Sequence, residues 1–413
     1  MVKEFFDRLK CKECGRSYPK EALHVCEFDF GPLEATYHYH KIKKYVSRQM
    51  IESGPYSMWR YEPFLPLEEE PTVGLHTGMT PLLEAKRLAK ILGIKELYIK
   101  NDTVNFPSLS FKDRVVSVAL SRAKELHYEV VSCASTGNLA NSLAAHAAAN
   151  GFKSYVLIPA DLEPAKVIGS LVYNTRVIGI KGSYDKVNRL CSEIAGKYRW
   201  AFVNVNFRPY YAEGSKTMGF EILEQMGWKI PDHTVICMAS GSLLTKIDKA
   251  YQEAILCGLV EEKPYAIHGA QASGCNPITA AFKKGTDLIR PIANPNTIAK
   301  SLAIGTPADG YYAIQTIRRT GGYAEDVTDQ EIIEGIKILA ETEGVFAETA
   351  GGVTVGCAKK LIQKGYIPLE SQVVLCITGN GLKTAEVLKD HLNSIDVIDP
   401  HIQDFDKVVD FEK

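Results

Sequence analysis

The chain has 413 residues, with 48 Lys plus Arg against 49 Asp plus Glu. This length exceeds what one hydrophobic core usually serves, so two lobes are predicted, and the near-neutral charge excludes a global electrostatic footprint for nucleic acid or an anionic membrane. No apolar run approaches the ~18 residues that span a bilayer, and the start, MVKEFFDRLKCKECG, lacks the apolar region of a signal peptide. The ten cysteines are mostly scattered singly, which predicts a reduced, cytoplasmic protein without a disulfide framework.

In chain order, residues 1–40 stand apart, with CKEC at 11–14, Cys26 and a stretch rich in aromatics and histidines. Residues 41–75 carry Pro, Glu and aromatics and read as irregular chain with short helices. From about 80 the pattern alternates. Strands are predicted at ELYIK (96–100), EVVSCAS (129–135), KSYVLIP (153–159), TRVIGI (175–180), WAFVNV (200–205), TVICMAS (234–240), KPYAIHGAQ (263–271) and QVVLCIT (372–378). Helices are predicted at KDRVVSVALSRAKEL (112–126), NLANSLAAHAAAN (138–150) and LLTKIDKAYQEAIL (243–256). Short apolar runs between amphipathic helices describe buried parallel strands, hence an α/β open-sheet protein. No repeat or long linker separates the lobes, so they are expected to interleave.

Ligands of open α/β sheets sit beyond the carboxyl ends of strands, where loops enter helices. Three such junctions are rich in small polar residues: ASTGN (134–138), ASGSLLT (239–245) and TGNGLKT (378–384). The second suits a phosphate best, although a plain capped turn explains it as well. None is a Walker A loop or a dinucleotide fingerprint, which argues against a nicotinamide oxidoreductase. A fourth stretch, SLSFKDRVV (108–116), places Lys112 in the first turn of a helix, with Ser110 and Asp113 spaced as in a capping box. A cation is disfavoured there by roughly 0.3–1 kcal/mol. An unprotonated lysine is a nucleophile that forms Schiff bases with aldehydes. A phosphate cradle on the same sheet edge suggests pyridoxal phosphate as that aldehyde. A surface lysine paired with a carboxylate is the alternative.

Taken together, CKECG…VCEFDFGPLEATYHY, TGMTPLLEAKRL, PSLSFKDRVVSVAL, CASTGNLANSLAAHAAANG, NFRPYYAEGSKTMGFEI, MASGSLLTKI, EGVFAETAGG and TGNGLKT resemble the tryptophan-synthase-like, fold type II family of pyridoxal-phosphate enzymes. Within it, they resemble the threonine-synthase branch. The resemblance runs from about residue 8 to about residue 390. It implies two interleaved α/β lobes: a large cofactor-binding lobe of 41–115 plus 230–413, and a small mobile lobe of 116–229. Residues 1–40 precede them as a ribbon-like segment. It implies Lys112 as Schiff-base lysine and catalytic base, and Asn138 as the partner of the cofactor ring hydroxyl. Ser240, Gly241, Ser242, Leu243 and Leu244 match the phosphate loop, and Thr378 matches the hydroxyl facing the pyridine nitrogen. The implied reaction turns O-phospho-L-homoserine and water into L-threonine and phosphate, by γ-elimination and then β-addition of water, as the last step of threonine biosynthesis.

Ser110, Ser135, Thr136, Asn206, Arg208 and Lys216 are the candidate substrate contacts. Here the chain departs from the branch pattern NPYR-x-EGQK. It reads RPYYAEGSK, so Tyr211 stands where the pattern has arginine. The resemblance further implies a homodimer. Two sister chemistries stay open: a serine/threonine dehydratase, which needs no phosphate-binding cations, and a cysteate-synthase-like enzyme taking phosphoserine and sulfite.

Cys11-x-x-Cys14 with Cys26 looks like half a zinc ribbon plus one ligand, and Asp29 occupies the fourth place. Cys11, Cys14, Cys26 and Asp29 are therefore a candidate structural zinc site. His24, His38 and His40 are alternative ligands, and a ribbon that folds without metal is the other reading.

Overall fold

The computed structural model describes residues 4–135, 137–160, 168–181, 184–392 and 395–409. Thirteen strands are found among them: β1 (Phe6–Cys11), β2 (Ser17–Tyr18), β3 (Leu33–Tyr37), β4 (Leu82–Glu84), β5 (Glu96–Asn101), β6 (Val130–Ala134), β7 (Lys153–Pro159), β8 (Arg176–Ile180), β9 (Trp200–Phe202), β10 (His233–Cys237), β11 (Ala266–Ala272), β12 (Ala324–Val327) and β13 (Gln372–Ile377). They form a three-stranded sheet (β2-β1-β3), a six-stranded sheet (β12-β11-β10-β13-β5-β4) and a four-stranded sheet (β8-β7-β6-β9). Only β4, at an edge of the six-stranded sheet, pairs antiparallel there. The four-stranded sheet is parallel throughout.

The continuous apolar runs follow from burial on both faces. In β13, Val373, Leu375 and Ile377 enter one core with Leu97, Ile99 and Val353. Val374 and Cys376 enter the other, with Ile247 and Phe220. Successive side chains of a strand point to opposite faces, so an uninterrupted apolar run is what two-sided burial demands. The four-stranded sheet divides likewise, with Ala134, Leu157 and Phe202 on one face and Val131, Cys133 and Val156 on the other. The chain leaves the six-stranded sheet after β5, builds the four-stranded one, and returns at β10. The lobes thus interleave.

Two local expectations fail. The helix Lys112–Glu125 has Phe111 at its N-cap and no side-chain cap. Ser110 Oγ is buried without a partner. The Asp113 carboxylate turns instead to Ser108 (N, 2.9 Å; Oγ, 2.7 Å) and Ser142 (2.7 Å), so no capping box forms. WAFVNV is strand only to Phe202. Asn206 ends it by accepting from Phe202 N (2.9 Å) and donating to Trp200 O (3.0 Å).

Residues 4–40 pack into the body of the protein. Phe6, Leu9, Cys11 and Cys26 lie in the main core. Tyr37 donates to the buried Glu213 at 2.7 Å. No helix among the described residues is long and apolar enough to cross a membrane.

Candidate active site

Parallel pairing of β5, β13 and β10 brings their carboxyl ends to one edge of the sheet. Lys112 arrives there because the segment before its helix is stitched to the end of β13. Phe111 N donates to Thr378 O at 2.9 Å, and Ser110 bridges Gly379. The Lys112 amine donates to the Tyr211 hydroxyl at 2.8 Å, between the Phe111 and Tyr211 rings. Tyr211, at the position where the branch pattern has arginine, thus meets the site lysine directly.

Asn138 comes from the other sheet, at the start of the helix that follows β6. Its amide donates to Glu348 at 2.8 Å, and Thr378 Oγ1 donates to the other oxygen of the same carboxylate at 3.4 Å. Burial pushes the Glu348 carboxyl up, opposed only in part by Asn138, Lys383, Thr378 and Lys112. Lys383 donates to Asn138 Oδ1 at 2.8 Å and to Ser108 O. Burial moves its amine down, against the pull of Glu348 and Asp113. Sequence reasoning assigned no role to Glu348 or Lys383. The only signal was their presence inside EGVFAETAGG and TGNGLKT.

The loop 239–242 follows β10. Gly241 has φ +97° and lies so close to the next layer that a Cβ would meet Ala313 Cβ at 2.9 Å and Asp309 O at 3.0 Å. The helix Ser242–Leu256 starts here with no side-chain cap, which leaves the first-turn N–H groups of Ser242, Leu243 and Leu244 for a ligand. Asp309 N donates to Ser240 O at 3.0 Å, and Arg208 donates to the Asp309 carboxylate at 2.7 Å. Arg208 therefore stands beside this loop, with its charge balanced by Asp309.

Two expected substrate contacts lie elsewhere. Lys216 is fully buried, paired with Glu213 (2.7 Å) and Glu253 (2.8 Å), and its amine lies 4.1 Å from the Tyr37 ring centroid. It fastens the N-terminal sheet to the body and has no lone charge to offer a phosphate. Asn206 spends its amide on the end of β9. Ser135 Oγ accepts from Gly137 N at 3.3 Å at the mouth of the Asn138 loop. Thr136 lies outside the described residues.

These features fit a lysine-bearing cofactor site of the fold type II kind. Residues 73–379 match the family described as "Pyridoxal-phosphate dependent enzyme". The chain is 39% identical over 377 residues to a threonine synthase of Methanocaldococcus jannaschii, covering 91% of this chain and 92% of that one. It is 37% identical over 396 residues to a threonine synthase of Methanosarcina acetivorans, covering 95% and 96%. In shape it is similar to maize serine racemase, with a TM-score of 0.61, 18% identity, and 77% and 95% of the two chains covered. The likeness extends to the processed form of threonine deaminase isoform 2 from Solanum lycopersicum, with a TM-score of 0.63, 19% identity, and 75% and 83% covered. The chain belongs to the pyridoxal-phosphate dependent enzymes and, within them, to the threonine synthases.

The residues present fit the cofactor. The Gly241 cradle offers backbone N–H groups and no Cβ, Ser110 keeps an unpartnered buried hydroxyl, and Lys112 shares the sheet edge with Thr378. Gly241→Ala is expected to weaken pyridoxal phosphate binding by about 10-fold or more, the cost of a Cβ at a left-handed, crowded position. Titration of the apoenzyme followed by absorbance measures it.

Proposed function

We propose that this enzyme converts O-phospho-L-homoserine and water to L-threonine and phosphate, with Lys112 as its proton-transfer group. The observation that carries the reading is the convergence of Lys112, Asn138, Thr378 and the Ser240–Leu244 loop in a member of the threonine synthases. Bound there, pyridoxal phosphate supplies the electron sink that makes the substrate Cα–H acidic. The backbone N–H groups of Ser242, Leu243 and Leu244 would hold its phosphate, and Asn138 and Thr378 would orient its ring. Glu348 fixes both side chains by accepting from each. Thr378 would offer the ring nitrogen a neutral hydroxyl, where a carboxylate would hold that nitrogen protonated.

Lys112 Nζ removes the Cα proton and then a Cβ proton, while phosphate departs from Cγ with the C–O bonding pair. A proton is returned to Cγ, water adds its hydroxyl at Cβ, and a proton returns to Cα. One amine within reach of all three carbons suits such repeated transfers. The Tyr211 hydroxyl, 2.8 Å from Nζ, positions it. Arg208 is the cation for the substrate phosphate, released from Asp309 when that anion arrives, and Ser110 and Ser135 line the substrate side. The lobe of 116–229, which carries Asn138, closes over the substrate against the lobe of 41–115 plus 230–413. The ten cysteines, none of them in a disulfide, support a cytoplasmic setting. The family resemblance supports a homodimer.

The deciding assay follows phosphate release from O-phospho-L-homoserine and threonine by chromatography. Stoichiometric appearance of both is expected. A yellow protein inert toward this substrate but active on phosphoserine with sulfite would overturn the reaction while leaving the cofactor in place.

A further inference from the structure

The N-terminal cysteines take no part in the site just described, yet they are built as a unit. Two five-residue loops, Cys11-Lys12-Glu13-Cys14-Gly15 and Cys26-Glu27-Phe28-Asp29-Phe30, repeat one geometry. In each, the third residue's N–H points at the first cysteine's sulfur: Glu13 N to Cys11 Sγ and Phe28 N to Cys26 Sγ, both at 3.4 Å. The fifth residue's N–H returns to the first residue's carbonyl, Gly15 to Cys11 at 3.2 Å and Phe30 to Cys26 at 3.1 Å. Both fifth residues are left-handed, with φ of +74° and +58°. The first and fourth positions then face each other across the loops. Cys14 Sγ lies 3.7 Å from Cys26 Sγ, and Cys11 Sγ lies 3.3 Å from Asp29 Oδ1. All four ligand atoms fall within 4.8 Å of one another.

The Cys14–Cys26 spacing fits a single four-coordinate ion. A tetrahedral centre with metal–sulfur bonds of about 2.3 Å has sulfur–sulfur edges of about 3.8 Å. Three sulfurs and one carboxylate oxygen in four-coordinate array are a zinc set. An iron–sulfur cluster would hold its cysteine sulfurs much farther apart.

The residues between the ligands reach the back of the active site. Lys12 Nζ lies 3.6 Å from the Tyr312 ring centroid, and Glu13 accepts the Tyr312 hydroxyl hydrogen bond. Tyr312 belongs to the helix Gly310–Arg319, whose Ala313 backs Gly241 and whose N-cap is Asp309. We propose that Cys11, Cys14, Cys26 and Asp29 bind one zinc ion, and that the ion holds the Lys12–Glu13 step as a clamp on Tyr312, behind the phosphate loop.

The test uses the full-length holoenzyme, isolated without a metal-binding tag from zinc-supplemented culture. Elemental analysis is expected to give about one zinc per chain, and below ~0.1 for Cys14→Ser combined with Asp29→Ala. This pair spares Cys11 and Cys26, whose side chains belong to the core. Removing zinc with a chelator is expected to speed tryptic cleavage after Lys12 and Arg16 by about 10-fold or more, and zinc addition is expected to restore protection. Wild-type protein carrying no more zinc than the double variant would overturn the site. Equal cleavage rates with and without zinc would overturn the clamp.

Discussion

Lys112→Ala is expected to lower threonine and phosphate formation together by at least about 10³-fold, because one amine serves as both nucleophile and proton carrier in several steps. The protein purified with cofactor should also lose its long-wavelength absorbance, since the aldehyde loses the amine it joins. The fold should survive. Lys112 donates its one hydrogen bond to Tyr211, which can turn to water, and the helix it begins is held by the buried residues 113–123. A variant that stays yellow and active would shift the role to Lys383, the other lysine at the site, which donates to Asn138 Oδ1. The paired variant Lys383→Met separates the two readings: it should keep the colour.

Arg114→Met, two residues along the same helix, is expected to destabilise the protein by about 3–5 kcal/mol, read as a lower denaturation midpoint. Arg114 is fully buried and bridges two carboxylates with paired hydrogen bonds. It donates to Asp102 at 2.7 and 2.9 Å and to Glu221 at 2.5 and 2.8 Å. Asp102 follows β5, and Glu221 lies on the helix Lys216–Gln225, so this guanidinium ties the Lys112 helix to two other elements. Without it two buried carboxylates share only Lys100, which lies 2.6 Å from Glu221. Lysine at 114 should not rescue, because a single ammonium cannot serve both carboxylates in the fork geometry.

The same network fixes an acid limit. Burial by itself would raise Glu221, but Arg114 and Lys100 outweigh it and hold the carboxyl at about 2. Its folded value is below its unfolded one, so its contribution is complete above the unfolded value of about 4.3. That contribution is lost as pH falls from there through about 2. The wild-type midpoint should therefore drop below pH ~4, and the Arg114 variant should have little of this drop left to show.

Much of the molecule was legible in the chain. The apolar runs ELYIK and QVVLCIT are strands because a strand buried on both faces must be apolar at every position. The placing of Asn138, Gly241 and Thr378 at strand–helix junctions, and of Lys112 at the start of a helix, was legible because a local motif sets the backbone there. The short β12 and the antiparallel β1–β3 gave weaker patterns and appear only in the structure.

What failed was whatever depended on which neighbours, near or far in the chain, packing brought to a polar side chain. Lys216 looked like a free cation until Glu213 and Glu253 closed on it. Asn206 looked like a ligand contact until its amide proved to be the end of β9. The Ser110–Asp113 spacing suggested a cap, but Ser108 and Ser142 took the carboxylate. Glu348 gave no local sign of its place between Asn138 and Thr378, 210 and 30 residues away. Sequence by itself determined the periodicity, the junctions and the family, because these rest on local geometry and short motifs. Tertiary structure alone decided which charges are spent on one another, because the partner that quenches a buried charge is chosen by packing across the fold.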